Sequence, residues 1–156
     1  MDSNNKNSTF DQVAEITLSY RPNSKLSEKP KITSSQIAER ILRAHWEDSK
    51  LEFIEEFKVI LLNRANRVLG IVSASSGGIS GTVVDIKVIF GAAMKASASG
   101  IILSHNHPGG TLYPSERDSK ITERLVKAGK LLDIPVMDHI ILTADGYYSF
   151  ADRGGL

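Results

Sequence analysis

The chain has 156 residues, enough for one domain with a core and short for two. Lys+Arg number 19 and Asp+Glu 18, and the formal net charge of +1 gives no support to broad electrostatic capture of nucleic acid or of an anionic membrane. Cysteine is absent, which excludes disulfides and thiolate ligands, so any metal must be held by His, Asp, Glu or water.

The opening MDSNNKNSTFDQ is polar and has no apolar signal core. No apolar run reaches the roughly 20 residues that cross a bilayer, so the expectation is a cytoplasmic protein with no membrane partner. VAEITLSYR (13–21) has the apolar content of a strand, and PNSKLSEKPK after it reads as an exposed linker. Thr33 and Gln36 have capping-box spacing, and Ile37, Ile41 and Ala44 follow at helical intervals, which predicts a helix over 34–46. The period then changes. EEFKVILLN (55–63) reads as a strand, NRAN (63–66) as a turn and RVLGIVSAS (67–75) as the returning strand. SSGGISG (75–81) is a loop, and DIKVIFGAAMKASA (85–98) a largely buried helix in which Gly91 allows close packing.

GIILSHN (100–106) is a short apolar strand that ends in histidines. Ser115 to Leu132 predicts another helix, with Ile121, Leu125, Ala128 and Leu132 along one face. VMDHIILT (136–143) and YYSF (147–150) read as strands joined by an Asp145-Gly146 turn. The pattern is an α+β (mixed α/β) domain whose strands are mostly joined by hairpins, which argues against a doubly wound sheet. Residues 1–50 read as an N-terminal extension with a strand and a helix, and 51–156 as the main domain.

The stretch SHNHPGGTLYPSERD (104–118) carries the chemistry. His105 and His107 are two apart, so they share a face if the strand persists past its end. Imidazole is a good zinc ligand. Pro108, Gly109 and Gly110 turn the chain back. Ser115 and Asp118 form a capping box, with Ser115 as the N-cap and Asp118 in the first turn, where the positive end of the helix keeps a carboxylate ionised. Two imidazoles and one carboxylate would leave a fourth metal position for water, the arrangement of a catalytic rather than a structural site. Such water is acidified towards neutrality and still needs a nearby general base. From the residues alone, Glu52, Glu55 and Glu56 are equal candidates for that base.

H-x-H-P, six residues and S-x-x-D together resemble the signature of JAMM/MPN-type zinc metalloproteases. LSHNHPGGTLYPSERD, the apolar helix after it and VMDHIILTADGYYSFADRG resemble more closely the RadC-like branch of that superfamily, over about residues 50–156. The resemblance implies a mixed β-sheet flanked by helices, of cytidine-deaminase-like type, and zinc held by His105, His107 and Asp118. It implies that Ser115 helps to stabilise an oxyanion. It also implies a general-base glutamate in an E-x-F context, which falls on Glu55. That branch often carries a helix-hairpin-helix region, for which residues 1–50 show no equivalent, and it commonly has serine where this chain has Gly109.

His139 reads as a satisfied structural histidine, with a supporting role behind a metal ligand as the alternative. His45 and Trp46 read as packing or surface, and Lys87, Lys95 and Arg117 as solvated charge rather than as the lining of a groove. Three functions compete. The first is a zinc-dependent peptidase or isopeptidase that uses metal-activated water and Glu55, with a peptide or isopeptide as substrate. The second is a metal-dependent nuclease or DNA-repair factor, which the near-zero charge supports only weakly. The letters HNH do not help it, because HNH nucleases spread their residues over a longer ββα-metal unit. The third is a binding module that keeps the metal for stability alone.

Overall fold

The computed structural model describes residues 13–77 and 83–156, so the polar start and most of the glycine-rich loop lie outside the described residues. Helices α1 (Ser35–Ala44) and α2 (Asp48–Leu51) precede strands β1 (Glu56–Leu62) and β2 (Val68–Ser76). Then come α3 (Ile86–Lys95), β3 (Gly100–Asn106), α4 (Glu116–Leu131), β4 (Val136–Leu142) and β5 (Tyr147–Ser149). The five strands form one sheet in the order β2-β1-β3-β4-β5. β1 pairs antiparallel with β2 and β3, and β4 antiparallel with β5, while β3 and β4 are parallel. Hairpins therefore make β1–β2 and β4–β5 as expected. The parallel pair needs a crossover, and α4 supplies it.

Both faces of the sheet are covered. Phe57, Val59 and Leu61 of β1 and Ile101 and Leu103 of β3 pack with Ile89, Phe90 and Ala93 of α3 and Leu125 of α4. The alternate residues Ile60, Leu62 and Ile102 pack with Ala38 and Leu42 of α1 and with Trp46. Strands buried on both sides read as continuous apolar runs, as β1 and β3 do. The helix read as part of an N-terminal extension thus contributes Ala38 and Leu42 to the second core layer.

The expected strand over 13–21 does not form; the segment joins no strand, although its Tyr20 hydroxyl donates to the Leu69 carbonyl of β2 at 2.9 Å, and Val13, Ile16 and Leu18 are 80%, 85% and 73% exposed. Apolar content alone does not make a strand when no sheet edge receives it. α1 is capped by Ser34, whose side chain accepts from the Ile37 N–H, rather than by the Thr33–Gln36 pair. Gly91 lies on an exposed face with open space around it, so it permits no close packing. Close approach occurs instead at Gly129 of α4, where a Cβ would come within 2.5 Å of the Ile134 carbonyl oxygen. Among the described residues no helix is long and apolar enough to cross a membrane.

Candidate metal centre

β3 runs through the middle of the sheet and ends at the site. Its alternation turns Ile101, Leu103 and His105 towards α3 and α4, and on the other face Ile102 towards α1 and Asn106 towards α2 and the turn after it. His107 lies just past the strand, but its N–H donates to the Leu142 carbonyl at 2.9 Å, which carries the extended path one residue further. The chain then turns, with Gly110 at φ 84, a conformation that favours glycine.

The returning segment starts α4 at Ser115. The capping box is reciprocal: the Ser115 hydroxyl accepts from the Asp118 N–H, and the Asp118 carboxylate accepts from the Ser115 N–H. The hydroxyl also donates to Asp118 Oδ2 at 2.7 Å. Asp118 is therefore fixed from behind and faces the histidines. Its Oδ1 lies 3.2 Å from His105 Nε2, and its Oδ2 lies 3.2 Å from His107 Nε2. The two Nε2 atoms are 3.0 Å apart. One ligand atom from each of the three residues falls within 4.8 Å of the others, a group that could hold a metal ion.

The hydrogen bonds behind the rings say which nitrogens carry protons. Thr122 Oγ1 donates to the Asp118 carbonyl at 2.6 Å. Its single proton is thereby used, so it accepts from His139 Nδ1 at 2.6 Å. Burial pushes the His139 pKa well below the usual histidine value, and its ring is neutral. Its Nε2 then accepts from His105 Nδ1 at 2.8 Å. That leaves His105 Nε2 with a lone pair. His107 Nδ1 donates to the Thr111 carbonyl at 2.6 Å, which leaves the same lone pair on His107 Nε2. Phe57 lies parallel to the His105 ring, with centroids 6.0 Å apart, and Phe150 stacks on His139 at 4.9 Å.

Two imidazole lone pairs and a carboxylate at such distances repel unless a proton or metal cation lies among them. The pKa shifts have the same sense. Burial alone would raise the Asp118 carboxyl, but hydrogen bonds and charge from His105 and His107, with help from Ser115, hold it well below the carboxylate range. Burial opposes a charged His107, yet Asp118, the Thr111 carbonyl and Glu55 raise its pKa. The pocket favours positive charge, and the nitrogen–nitrogen–oxygen donor set fits a divalent transition metal.

Glu55 immediately precedes β1 and is half-buried. It lines two clefts that flank the group. One, of about 230 Å³, also has His105, Asp118, Val84 and Ile121 in its walls. The other, more open, is bounded by His107, Pro108, Tyr113, Pro114 and Ser115. Glu56 is different: it is 6% exposed, with Lys50 at 3.6 Å and Lys58 at 3.8 Å. Glu52 is exposed at the end of α2. Tertiary placement thus separates three glutamates that are equivalent as sequence.

Several of the neighbours were not legible. Arg117, read as solvated charge, lines the smaller cleft together with Lys120 and Arg124. Their spacing on α4 was the available signal, since positions three, four and seven apart share a helix face. Lys87 and Lys95 are exposed and line neither cleft. His139, read as structural, braces His105; Thr122 and Thr111 carried no signal. His45 is exposed with its Nδ1 against the Ile41 carbonyl at 2.8 Å, and Trp46 is core.

The bracing predicts a measurable effect. His139→Phe keeps a flat aromatic ring, slightly larger than imidazole, and removes its acceptor, so the His105 tautomer is no longer set. Zinc affinity should fall by about 10–100-fold, the usual cost of losing such a partner. Chelator-competition titration reads it; unchanged affinity would reduce His139 to packing.

A family model described as a RadC-like JAB domain matches residues 32–155. A UPF0758 protein of Flavobacterium johnsoniae is 46% identical over 100 residues, covering 64% of this chain and 44% of that protein. A UPF0758 protein of Porphyromonas gingivalis is 40% identical over 144 residues, covering 91% of this chain and 62% of its own length. The chain thus spans about half the length of the curated relatives it matches.

Proposed function

The chain belongs to the RadC-like JAB domain family, and from that premise we propose that it is a zinc-dependent hydrolase of amide bonds, acting on a peptide or isopeptide. The observation that carries this reading is Glu55. A metal held for stability alone needs no half-buried carboxylate in the wall of both clefts that flank the His105–His107–Asp118 group.

Zinc bound by those three side chains would supply a Lewis acid and lower the pKa of coordinated water. The remaining work belongs to the protein. Glu55 accepts a proton from the attacking water and returns it to the leaving nitrogen. His139 and Thr122 hold the His105 ring, and Ser115 holds the Asp118 carboxylate. The two clefts, which share Glu55 as a wall, would accept the substrate chain on either side of the scissile bond. Arg117, Lys120 and Arg124 line the cleft on the α4 side, with Lys120 paired to Glu116 at 2.6 Å.

The experiment is direct. The protein loaded with one equivalent of zinc is incubated with linear peptides, with isopeptide-linked peptides and with single- and double-stranded DNA, and products are read by mass spectrometry. Amide cleavage that a chelator stops and zinc restores is the expected result. Metal-dependent cleavage of DNA alone would replace this reading with the nuclease one, and cleavage of neither would withdraw it.

Ser115 separates into two contributions. As an N-cap it is worth ~0.5–2 kcal/mol over alanine, so Ser115→Ala lowers Tm by a few degrees. As an oxyanion donor it would have to turn its one proton away from Asp118 Oδ2, and in that role it matters far more to rate, since loss of one such donor costs about 10²–10³-fold. Turnover measured per bound zinc distinguishes them. A rate that falls only in step with zinc content would leave Ser115 as the brace of Asp118 and nothing more.

A further inference from the structure

Asn106 lies between the two histidines, and alternation turns it to the opposite face of β3. It is fully buried, at 0% exposure. Its Oδ1 accepts from the Glu56 N–H at 2.8 Å. Its Nδ2 donates to the carbonyls of Leu51 at 2.8 Å and Ile54 at 2.9 Å, with the Lys50 carbonyl at 3.5 Å. The Glu55 carbonyl accepts from the Gly77 N–H at 3.0 Å. Both peptide groups that flank Glu55 are therefore tied down, and one side-chain amide makes most of the ties. Only an amide offers an acceptor to one side and two donors to the other in so short a side chain.

We infer that Asn106 is a positioning residue that sets Glu55 against the His105–His107–Asp118 group. The argument is geometric. Residues 105 and 107 aim at the metal group while residue 106 aims at the turn that carries the base. The separation of base and ligands is thus set across the thickness of one central strand, not by the connection between α2 and β1. Such a clamp suits a base, because a misplacement of ~1 Å can cost about 10²-fold in rate. The inference rests on Glu55 being the base, as proposed above.

The test uses the full zinc-loaded chain with Asn106→Ala and Asn106→Asp. A core truncation remote from the turn, Leu42→Ala, serves as a control for general destabilisation. Three quantities are read: zinc affinity by chelator competition, hydrogen exchange of backbone amides, and kcat and KM on a fluorogenic peptide that the parent cleaves. In Asn106→Ala the Glu56 amide exchanges roughly tenfold faster or more relative to the rest of β1, as expected for one lost buried hydrogen bond. Asn106→Asp keeps the acceptor, so the Glu56 amide stays protected while the turn at 51–54 loosens. Both variants keep zinc affinity well inside the ~10–100-fold loss expected of a residue that holds a ligand. Their kcat falls by about 10²-fold with little change in KM, and adding Asn106→Ala to Glu55→Gln lowers it little further. Leu42→Ala raises exchange broadly and does not reproduce the split.

Zinc lost together with the turn, or a Glu56 amide as protected in Asn106→Ala as in the parent, would overturn the clamp. If the parent cleaves no amide, the hydrolase reading fails by itself, and exchange and zinc affinity still decide whether Asn106 holds the turn independently of the metal group.

Discussion

On the hydrolase reading proposed above, His107→Ala is expected to lose zinc binding at one equivalent per chain, and with it any hydrolytic activity of the parent. Three protein ligands become two, and the remaining His105 and Asp118 leave too few donors for a stable site. The same experiment run in reverse measures how far the metal is coupled to folding. An ion at about 100 times its Kd stabilises the folded chain by ~2.7 kcal/mol. At ~2–4 °C per kcal/mol for a domain of this size, zinc should raise the Tm of the parent by about 5–10 °C and that of His107→Ala hardly at all. The binding is also pH-dependent, with a definite sign. Asp118 and the Thr111 carbonyl raise the His107 pKa, so a proton competes with the metal for Nε2 up to a higher pH than for an ordinary histidine. Zinc affinity therefore rises as pH increases through the raised His107 value and falls below it. Isothermal titration across pH 5.5 to about 8, the range in which histidine charge changes, reads the slope. Stoichiometric zinc in His107→Ala, or affinity independent of pH, would remove His107 from the ligand set.

Glu55→Gln is expected to give the opposite separation if Glu55 is the base proposed above: zinc and fold persist while turnover falls by about 10²–10⁴-fold, the usual contribution of a general base. Glutamine keeps the size and the hydrogen-bonding reach of the side chain but has no basic oxygen to take the proton. The loss should lie in kcat, because the peptide still occupies both clefts. Glu56→Gln is the matched comparison. Glu56 is paired with Lys50 and Lys58 on the other face of β1, so its loss is a change in stability and not in the proton path. A Glu55→Gln protein that turns over at the parental rate would end the assignment, whatever the zinc content.

The local parts of the site were legible. His105-x-His107 at a strand end and Ser115-x-x-Asp118 at a helix start are set by periods of two and by capping chemistry, which neighbouring residues determine among themselves. The strands from β1 onwards, and α3 and α4, came from apolar periodicity within a residue or a few of their observed bounds. The strand expected at 13–21 failed for a related reason: its apolar content is a property of the segment, but a strand also needs a partner edge.

What only the tertiary structure decided is whatever depends on pairs of residues far apart in sequence. Glu52, Glu55 and Glu56 are alike as residues; the start of β1 directs Glu55 to the clefts and Glu56 to Lys50 and Lys58. His139 carries no mark of its role, which comes from the parallel pairing that sets β4 beside β3, with Leu103 opposite His139. Asn106 looked like the middle letter of a motif until the turn that it holds, about 50 residues earlier in the chain, was beside it. Sequence by itself determined the ligand types, their spacing and the elements that carry them, because these follow from short-range periodicity and hydrogen bonding. The sheet order determined that Glu55, His139 and Asn106 lie around them, because only packing across strands brings together groups so far apart in sequence.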